Sequence, residues 1–319
     1  MQSKLPPEIK EQLVLPVVAA PMFLVSGPDM VIESCKAGII GSFPLLNART
    51  TKILDSWMTR IVTELEEAKK DNPQKRIAPW AVNLVVHRTN QRYEDDLELV
   101  RKHKPPIVIT SLGNPAPCVS AVHAYNGLVF SDVSTIAHAK KAASSGVDGL
   151  VLVSAGAGGH GGTLNPFAFA GEVRKFWNGI TLLAGCLSGG RDILAVRSLG
   201  IDLAYMGTRF IPAVESIASD DYKKMVADAT LEDVIYTDAF SGVHANYLKP
   251  SIQRAGLDPE QLEKKETMDF SALSRTKSKL WKDIWSAGQG VGSVGRIQTI
   301  AEIVEELKQE YEEASQKLF

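Results

Sequence analysis

Eight short and nearly unbroken apolar runs punctuate the first two-thirds of the chain. They are VVAAPMF (17–23), GIIGSF (38–43), APWAVNLV (78–85), PIVITSLG (106–113), GLVFSDVS (127–134), GLVLVSAG (149–156), TLLAGCLSGG (181–190) and LAYMGTRF (203–210). Apolar character at both parities suits parallel strands buried on both faces. The segments between them carry helical periodicity, as in ILDSWMTRIVTELEEAKK (53–70), YEDDLELVRKH (93–103) and TIAHAKKAASSG (135–146). Eight alternations of strand then helix predict an α/β fold, a (β/α)8 TIM barrel. A doubly wound sheet is the rival, but it rarely repeats one unit so evenly.

After Phe210 the rhythm stops. Residues 213–285 are charged and helix-rich, with breaks near YLKPS and LDPEQ and no strand run. This predicts a small helical domain inserted after the eighth strand. In the closing segment Ile300, Val304, Leu307 and Tyr311 form one apolar stripe, as a last barrel helix requires. The expected organisation is a barrel over 1–212, a helical lid over 213–285, and a closing segment with the last barrel helix over 286–319.

Composition narrows the function classes. A 45% apolar chain of 319 residues can fill a large core. Lys plus Arg total 35 and Asp plus Glu 37, a net charge of −2, which favours neither nucleic acid nor an anionic membrane. Three scattered cysteines without a CxxC pair argue against a zinc site and a disulfide framework. The most membrane-like stretch, 13–25, is too short to span and contains Pro16 and Pro21. A cytoplasmic protein without a metal is the expectation.

Barrel enzymes build their sites where strands end. The last two runs end in SGG (188–190) and MGT (206–208). Loops in these positions commonly cradle phosphate with backbone amides, so Ser188, Gly189, Gly190, Met206, Gly207 and Thr208 are candidates. The first run holds Ala20, Pro21 and Met22, which either line a flat ring or simply end a strand. Asn83 offers an amide to a heterocycle edge. No Walker loop and no dinucleotide-binding GxGxxG follows the first strand. A phosphate cradle plus a ring platform without a dinucleotide fold points to FMN.

The stretch SAGAGGHGG (154–162) places one histidine among five glycines. Glycine permits positive φ and close approach to the backbone. Gly158 and Gly159 would then pass near the flavin ring and present His160, whose pKa suits proton transfer near neutrality. A tight turn with an incidental histidine is the plainer alternative. His103, His123 and His138 read as solvated helix residues, while His244, Asn246 and Tyr247 cluster in the lid and are candidates to face a substrate.

The ordered set AAPM, NL, AGGHGG, LSGG and MGTRF, with IWSAGQGVGSV (284–294) late in the chain, resembles the nitronate monooxygenase (2-nitropropane dioxygenase-like) family over nearly the whole length. The resemblance implies an FMN barrel that oxidises alkyl nitronates with O2 to a carbonyl compound and nitrite. It puts His160 in the position of the catalytic base. It also implies that Ser286, Ala287, Gly288, Gln289 and Gly290 cover the flavin. Two positions depart from the pattern. Many members carry an acid four positions before the histidine, where this chain has Gly156. Related NADH:quinone reductases place a lysine after the fifth strand, where this chain has Asp132. The alternatives are an NADH-dependent FMN reductase acting on quinones or an enoyl thioester, a catalytically silent flavin protein, and a flavin-free phosphate-binding isomerase. Small-molecule substrate and O2 are the expected partners; a homodimer is left open.

Overall fold

The computed structural model describes residues 3–240, 242–263 and 283–318. Eight parallel strands close into a barrel: β1 (Val17–Ala19), β2 (Ile40–Pro44), β3 (Trp80–Val85), β4 (Ile107–Ser111), β5 (Leu128–Val133), β6 (Gly149–Val153), then β8 (Ile180–Ala184) and β9 (Leu203–Met206), which pairs back with β1. A two-residue strand outside the barrel, β7 (Gly159–His160), lies between β6 and β8 in sequence. Each apolar run supplies one barrel strand, as the pattern predicts.

Helices alternate with the strands. A short α1 (Pro7–Lys10) precedes β1, followed by α2 (Pro28–Lys36), α3 (Thr51–Asp71), α4 (Tyr93–His103), α5 (Ala116–His123), α6 (Ile136–Ser144), α7 (Pro166–Val173) and α8 (Gly190–Ser198). Local chemistry starts several of them. Thr50, Thr135 and Asn165 accept hydrogen bonds from backbone N–H groups in the first turns of α3, α6 and α7. In α3 the buried Leu54, Met58, Ile61 and Leu65 repeat at spacings of four, three and four, one stripe against the barrel. His103 departs from its solvated reading: it is half-buried, and its Nε2 lies 2.6 Å from Asp55 Oδ1.

Two apolar layers follow from strand alternation. Trp80, Val82 and Leu84 of β3, with Val108, Leu150, Leu152 and Met206, face outward against the helices. Val18, Ala81, Ile107, Ile109, Phe130, Val151, Leu182 and Leu203 fill the barrel interior. Continuing the inward parity to the carboxyl ends of the strands gives Ala20, Asn83, Ser111, Asp132, Val153, Ala184 and Tyr205. The top of the barrel interior is therefore its polar layer.

The insertion corrects one expectation. Its described part contains α9 (Asp220–Asp228) and α10 (Lys249–Arg254), but also two strands, β10 (Val234–Thr237) and β11 (Ala245–Leu248). They pair antiparallel, and β11 also pairs with β7, forming a three-stranded sheet. The β-branched and aromatic VIYT of β10 is a strand signal that a window dominated by charge conceals. Residues 264–282 of the expected lid lie outside the described residues. The last helix, α11 (Ile300–Leu318), packs on α8 and α2 and completes the outer ring, with Ile300, Val304 and Leu307 buried. No described helix is long and apolar enough to cross a membrane.

The α8–α11 contact depends on a missing side chain. A Cβ on Gly190 would strike the backbone O of Leu307 and the backbone N of Tyr311. Gly190→Ala is expected to lower stability by about 1–3 kcal/mol, the usual cost of overpacking a close contact. Gly171→Ala on α7, where an added Cβ meets nothing within 4 Å, is expected to raise it by about 0.5–1 kcal/mol. Chemical denaturation midpoints of the two variants check the pair.

Candidate functional site

One cavity of about 1130 Å³ opens at the carboxyl ends of the barrel strands. Its floor is the polar top layer of the barrel. Asn83 is held in place there, its Nδ2 donating to Ile109 O (3.1 Å) and to Ser111 Oγ (3.0 Å). One side is the loop after β1. Ser26 Oγ donates to Ala20 O and accepts from Met22 N–H, and Asn47 Nδ2 donates to Met22 O at 2.9 Å. Leu24 in this loop has φ of 60°, so side-chain hydrogen bonds hold a backbone that sterics disfavour. Ala20, Pro21, Met22 and Asn83 all line the cavity.

His160 lies on the far wall. β7 pairs with β11, with His160 opposite Ala245, so the insertion's sheet carries the histidine over the barrel mouth. Asn246 Nδ2 donates to Ala157 O at 2.7 Å, and Tyr236 Oη donates to Gly161 O at 3.2 Å. The imidazole of this half-buried residue borders the cavity, and desolvation pushes its pKa down from 6.5 to about 4. It is neutral, and so able to accept a proton, through the whole neutral range.

The glycines around it serve two purposes. A Cβ on Gly158 would lie 2.8 Å from Gly288 N, and one on Gly288 would lie 2.6 Å from Gly156 O. Here backbone crosses backbone. Gly159, with φ of 70°, has nothing within 4 Å of its Cβ position and faces open cavity. Gln289 N–H donates to Gly156 O (2.9 Å) and Gly288 N–H to Thr208 Oγ1 (2.8 Å), which ties the closing segment to the loop after β6.

The phosphate cradle expected at Gly189 and Gly190 gives way to a different arrangement. Asp192 Oδ2 already accepts from the N–H groups of Ser188 (2.7 Å) and Gly189 (2.9 Å), and Glu310 Oε2 from that of Gly190 (2.5 Å). These amides cap and pack α8, and neither glycine borders the cavity. Strand β8 ends at Ala184, so the residues that follow it into the cavity are Gly185, Cys186, Leu187 and Ser188. Gly185 and Cys186 have φ of 125° and 58°. The N–H groups of Cys186, Leu187, Gly207 and Thr208 find no acceptor among the described residues, and Ser188 Oγ is buried without a partner. Successive free amides in such turns form an anion-binding concavity. Sequence reasoning missed Gly185–Leu187 because the apolar run was carried on to SGG; the turn GC directly after LLA was the available signal.

Other candidates are placed as follows. Gly158, Gly159, Ser188, Gly207, Thr208, Ser286, Gly288 and Gly290 border the cavity. Met206 has outward parity and is fully buried in the layer beneath the helices. Ala287 is buried among Val25, Ile211 and Trp285, and Gln289 points its Oε1 towards Cys186 Sγ at 3.7 Å. His244 is half exposed, beside Asp238 and the Tyr236 ring, outside the cavity. Asn246 is 1% exposed and clamps the histidine loop instead of facing a substrate. Tyr247 is buried beside Phe240. Two further groups in the cavity come from the barrel: Tyr205 and Asp132. The rim carries Trp285, stacked on Tyr222 at 4.9 Å with the Arg254 guanidinium 3.7 Å above its ring. Among the described residues no group of three His, Cys, Asp or Glu is disposed to hold a metal ion.

Comparison with known proteins agrees with this architecture. The nitronate monooxygenase from Neurospora crassa is 24% identical, over 95% of this chain and 90% of the relative. Among solved structures, FabK from Thermotoga maritima superposes with a TM-score of 0.77 at 21% identity, covering 98% of both chains. The nitroalkane oxidase from Streptomyces ansochromogenes gives 0.76 at 22% identity, covering 97% of this chain and 99% of that one. A family model described as nitronate monooxygenase matches residues 8–310, and the chain belongs to that family of oxidoreductases.

Proposed function

We propose that the chain holds one FMN in this cavity and oxidises alkyl nitronates with O2, yielding a carbonyl compound and nitrite. The observation that carries this reading is the convergence, in one cavity, of unpaired backbone amides, a polar floor at the strand ends and a desolvated imidazole. The amides of Cys186, Leu187, Gly207 and Thr208, with Ser188 Oγ, would take the phosphate. Ala20, Pro21, Met22 and Asn83 would bound the ring. Bound FMN supplies the electron acceptor for the nitronate and the route of those electrons to O2. His160 holds its ring neutral by desolvation and takes the α-proton when the substrate arrives as a neutral nitroalkane. Gly159 beside it leaves room for that substrate.

Mass spectrometry of the cofactor released after reconstitution is expected to find FMN at one per chain. FAD, or no flavin, would overturn the assignment. Anaerobic mixing separates the rival reductase: bleaching by a nitronate but not by NADH supports the proposal, and rapid bleaching by NADH alone supports the rival.

His160→Asn is expected to retain FMN but to oxidise neutral nitroalkanes about 10²–10⁴-fold more slowly, the usual contribution of a positioned base. Preformed nitronates, already deprotonated, should lose far less. Equal loss on both substrates would make His160 a binding residue instead.

The depressed pKa of His160 fixes the sign of a pH effect. Because the base form persists down to about pH 4, kcat/KM for nitroethane should not fall as pH is lowered from 8 through 6. An ordinary histidine would lose activity through its unperturbed value near 6.5. A loss of activity on acidification centred there contradicts the desolvated site.

A further inference from the structure

Asp132 is the one carboxyl of the barrel's polar top layer. β5 alternates Phe130 inward, Ser131 outward and Asp132 inward, so the carboxyl enters the cavity floor beside the layer that holds Asn83 and Ser111. Its Oδ1 is buried and has no hydrogen-bond partner among the described residues. Leaving a buried carboxyl oxygen unpaired costs free energy that a bound ligand can recover.

No cation is paired with Asp132 among the described residues. On β4 the neighbouring residues are Thr110 and Ser111, and on β6 Val151 lies directly opposite Asp132. Burial, with a smaller contribution from the Asp132 carboxyl, raises the phenol of Tyr205 on β9 well above its usual pKa. Other titratable groups bordering the cavity are His138 and Lys141 on α6, His87 after β3, Cys186 after β8, Asp221 and Tyr222 on α9, Arg254 on α10, Asp283, and His160 on the opposite wall. None of them offsets the burial of Asp132, which alone pushes the carboxyl up to about 7. A carboxyl with this environment is a proton donor on the acid side of neutrality and a bare buried charge on the other.

We infer that Asp132 is the cofactor-facing proton site of the cavity, hydrogen-bonding the bound flavin ring from the barrel floor and opposing its reduction when ionised. The inference rests on the FMN reading above. Its physical basis is Coulombic. A protonated carboxyl donates to an electron-rich ring, whereas a buried carboxylate repels the negative charge that reduction adds. Electrons placed on the ring therefore raise the affinity of Asp132 for its proton, and reduction takes up one additional proton over a limited pH range. His160, on the other wall, handles the proton of the substrate. Asp132 handles the charge of the cofactor.

The test is a redox titration of the FMN holoenzyme from pH 5.5 to 8.5, run on the unmutated protein and on Asp132→Asn. The unmutated protein is expected to show a segment near neutrality in which its midpoint potential falls more steeply with pH, by one proton. The near-isosteric Asp132→Asn should lack that segment and lie at a more positive potential on the alkaline side. A second readout is the visible spectrum of bound oxidised FMN, expected to shift between pH 6 and 8 only in the unmutated protein. Retained FMN whose potential shows no steep segment in the unmutated protein overturns the inference about Asp132 and leaves the cofactor reading standing. Failure of the unmutated protein to hold FMN overturns both, so the two failures are distinguishable even if the variant does not fold.

Discussion

The crossing of two backbones at Gly158 and Gly288 is the constraint on which the site depends. Neither position has room for a Cβ, because each would meet the other's main chain. Without that contact the closing segment could not reach Gly156 O and Thr208 Oγ1, and the loop after β6 would lose its outer wall. The same loop is pinned from a second side by β11 and by Asn246, which reaches Ala157 O. Three separate stretches of sequence thus converge on the loop that carries His160. His160 is consequently carried on a paired strand, which fixes its position better than a free loop would.

Desolvation acts in opposite senses on the two sides of the same cavity. It removes the charge from His160 by lowering its pKa, and from Asp132 by raising it. Both groups are therefore neutral through much of the slightly acidic range. Water excluded from such a space strengthens any charge that a reaction creates there. The parity of the barrel strands decides who faces this space. An inward position at the strand ends makes Asp132 and Tyr205 cavity residues, while an outward one sends Met206 under the helices.

The barrel was legible in the sequence because each strand is apolar on both faces and each run is bounded by small or turn residues. The stripe of Ile300, Val304 and Leu307 was legible for the same periodic reason. The strands of the insertion were not: β10 and β11 are four residues each, too short for alternation to stand out among charges. Site residues divide in the same way. Those on strand ends or in glycine loops, such as Asn83 and His160, follow from position along the chain. The capture of Gly189 and Gly190 by Asp192 and Glu310 does not, since Glu310 is brought to α8 only when α11 packs on it. Asn246 looked like a substrate residue because sequence shows its polarity but not its partner, a carbonyl 89 positions away.

The departure at Gly156 has a local steric cause. The residue has φ of 80°, a region that side chains rarely adopt, and its Cβ position is blocked by Cys186 Sγ and lies 2.8 Å from Gln289 Oε1. Cys186 itself holds φ of 58°, so its thiol is aimed by the turn after β8 and not by rotamer choice alone. An acidic side chain four positions before the histidine therefore has no volume to occupy while Cys186 is present. Its absence and the thiol are two halves of one packing solution, with Sγ 3.7 Å from both Ala155 O and Gln289 Oε1. Charge is removed from the approach to His160 by the same substitution that fills the space. In this chain, then, desolvation lowers the pKa of the histidine, and the imidazole stays neutral through the neutral range.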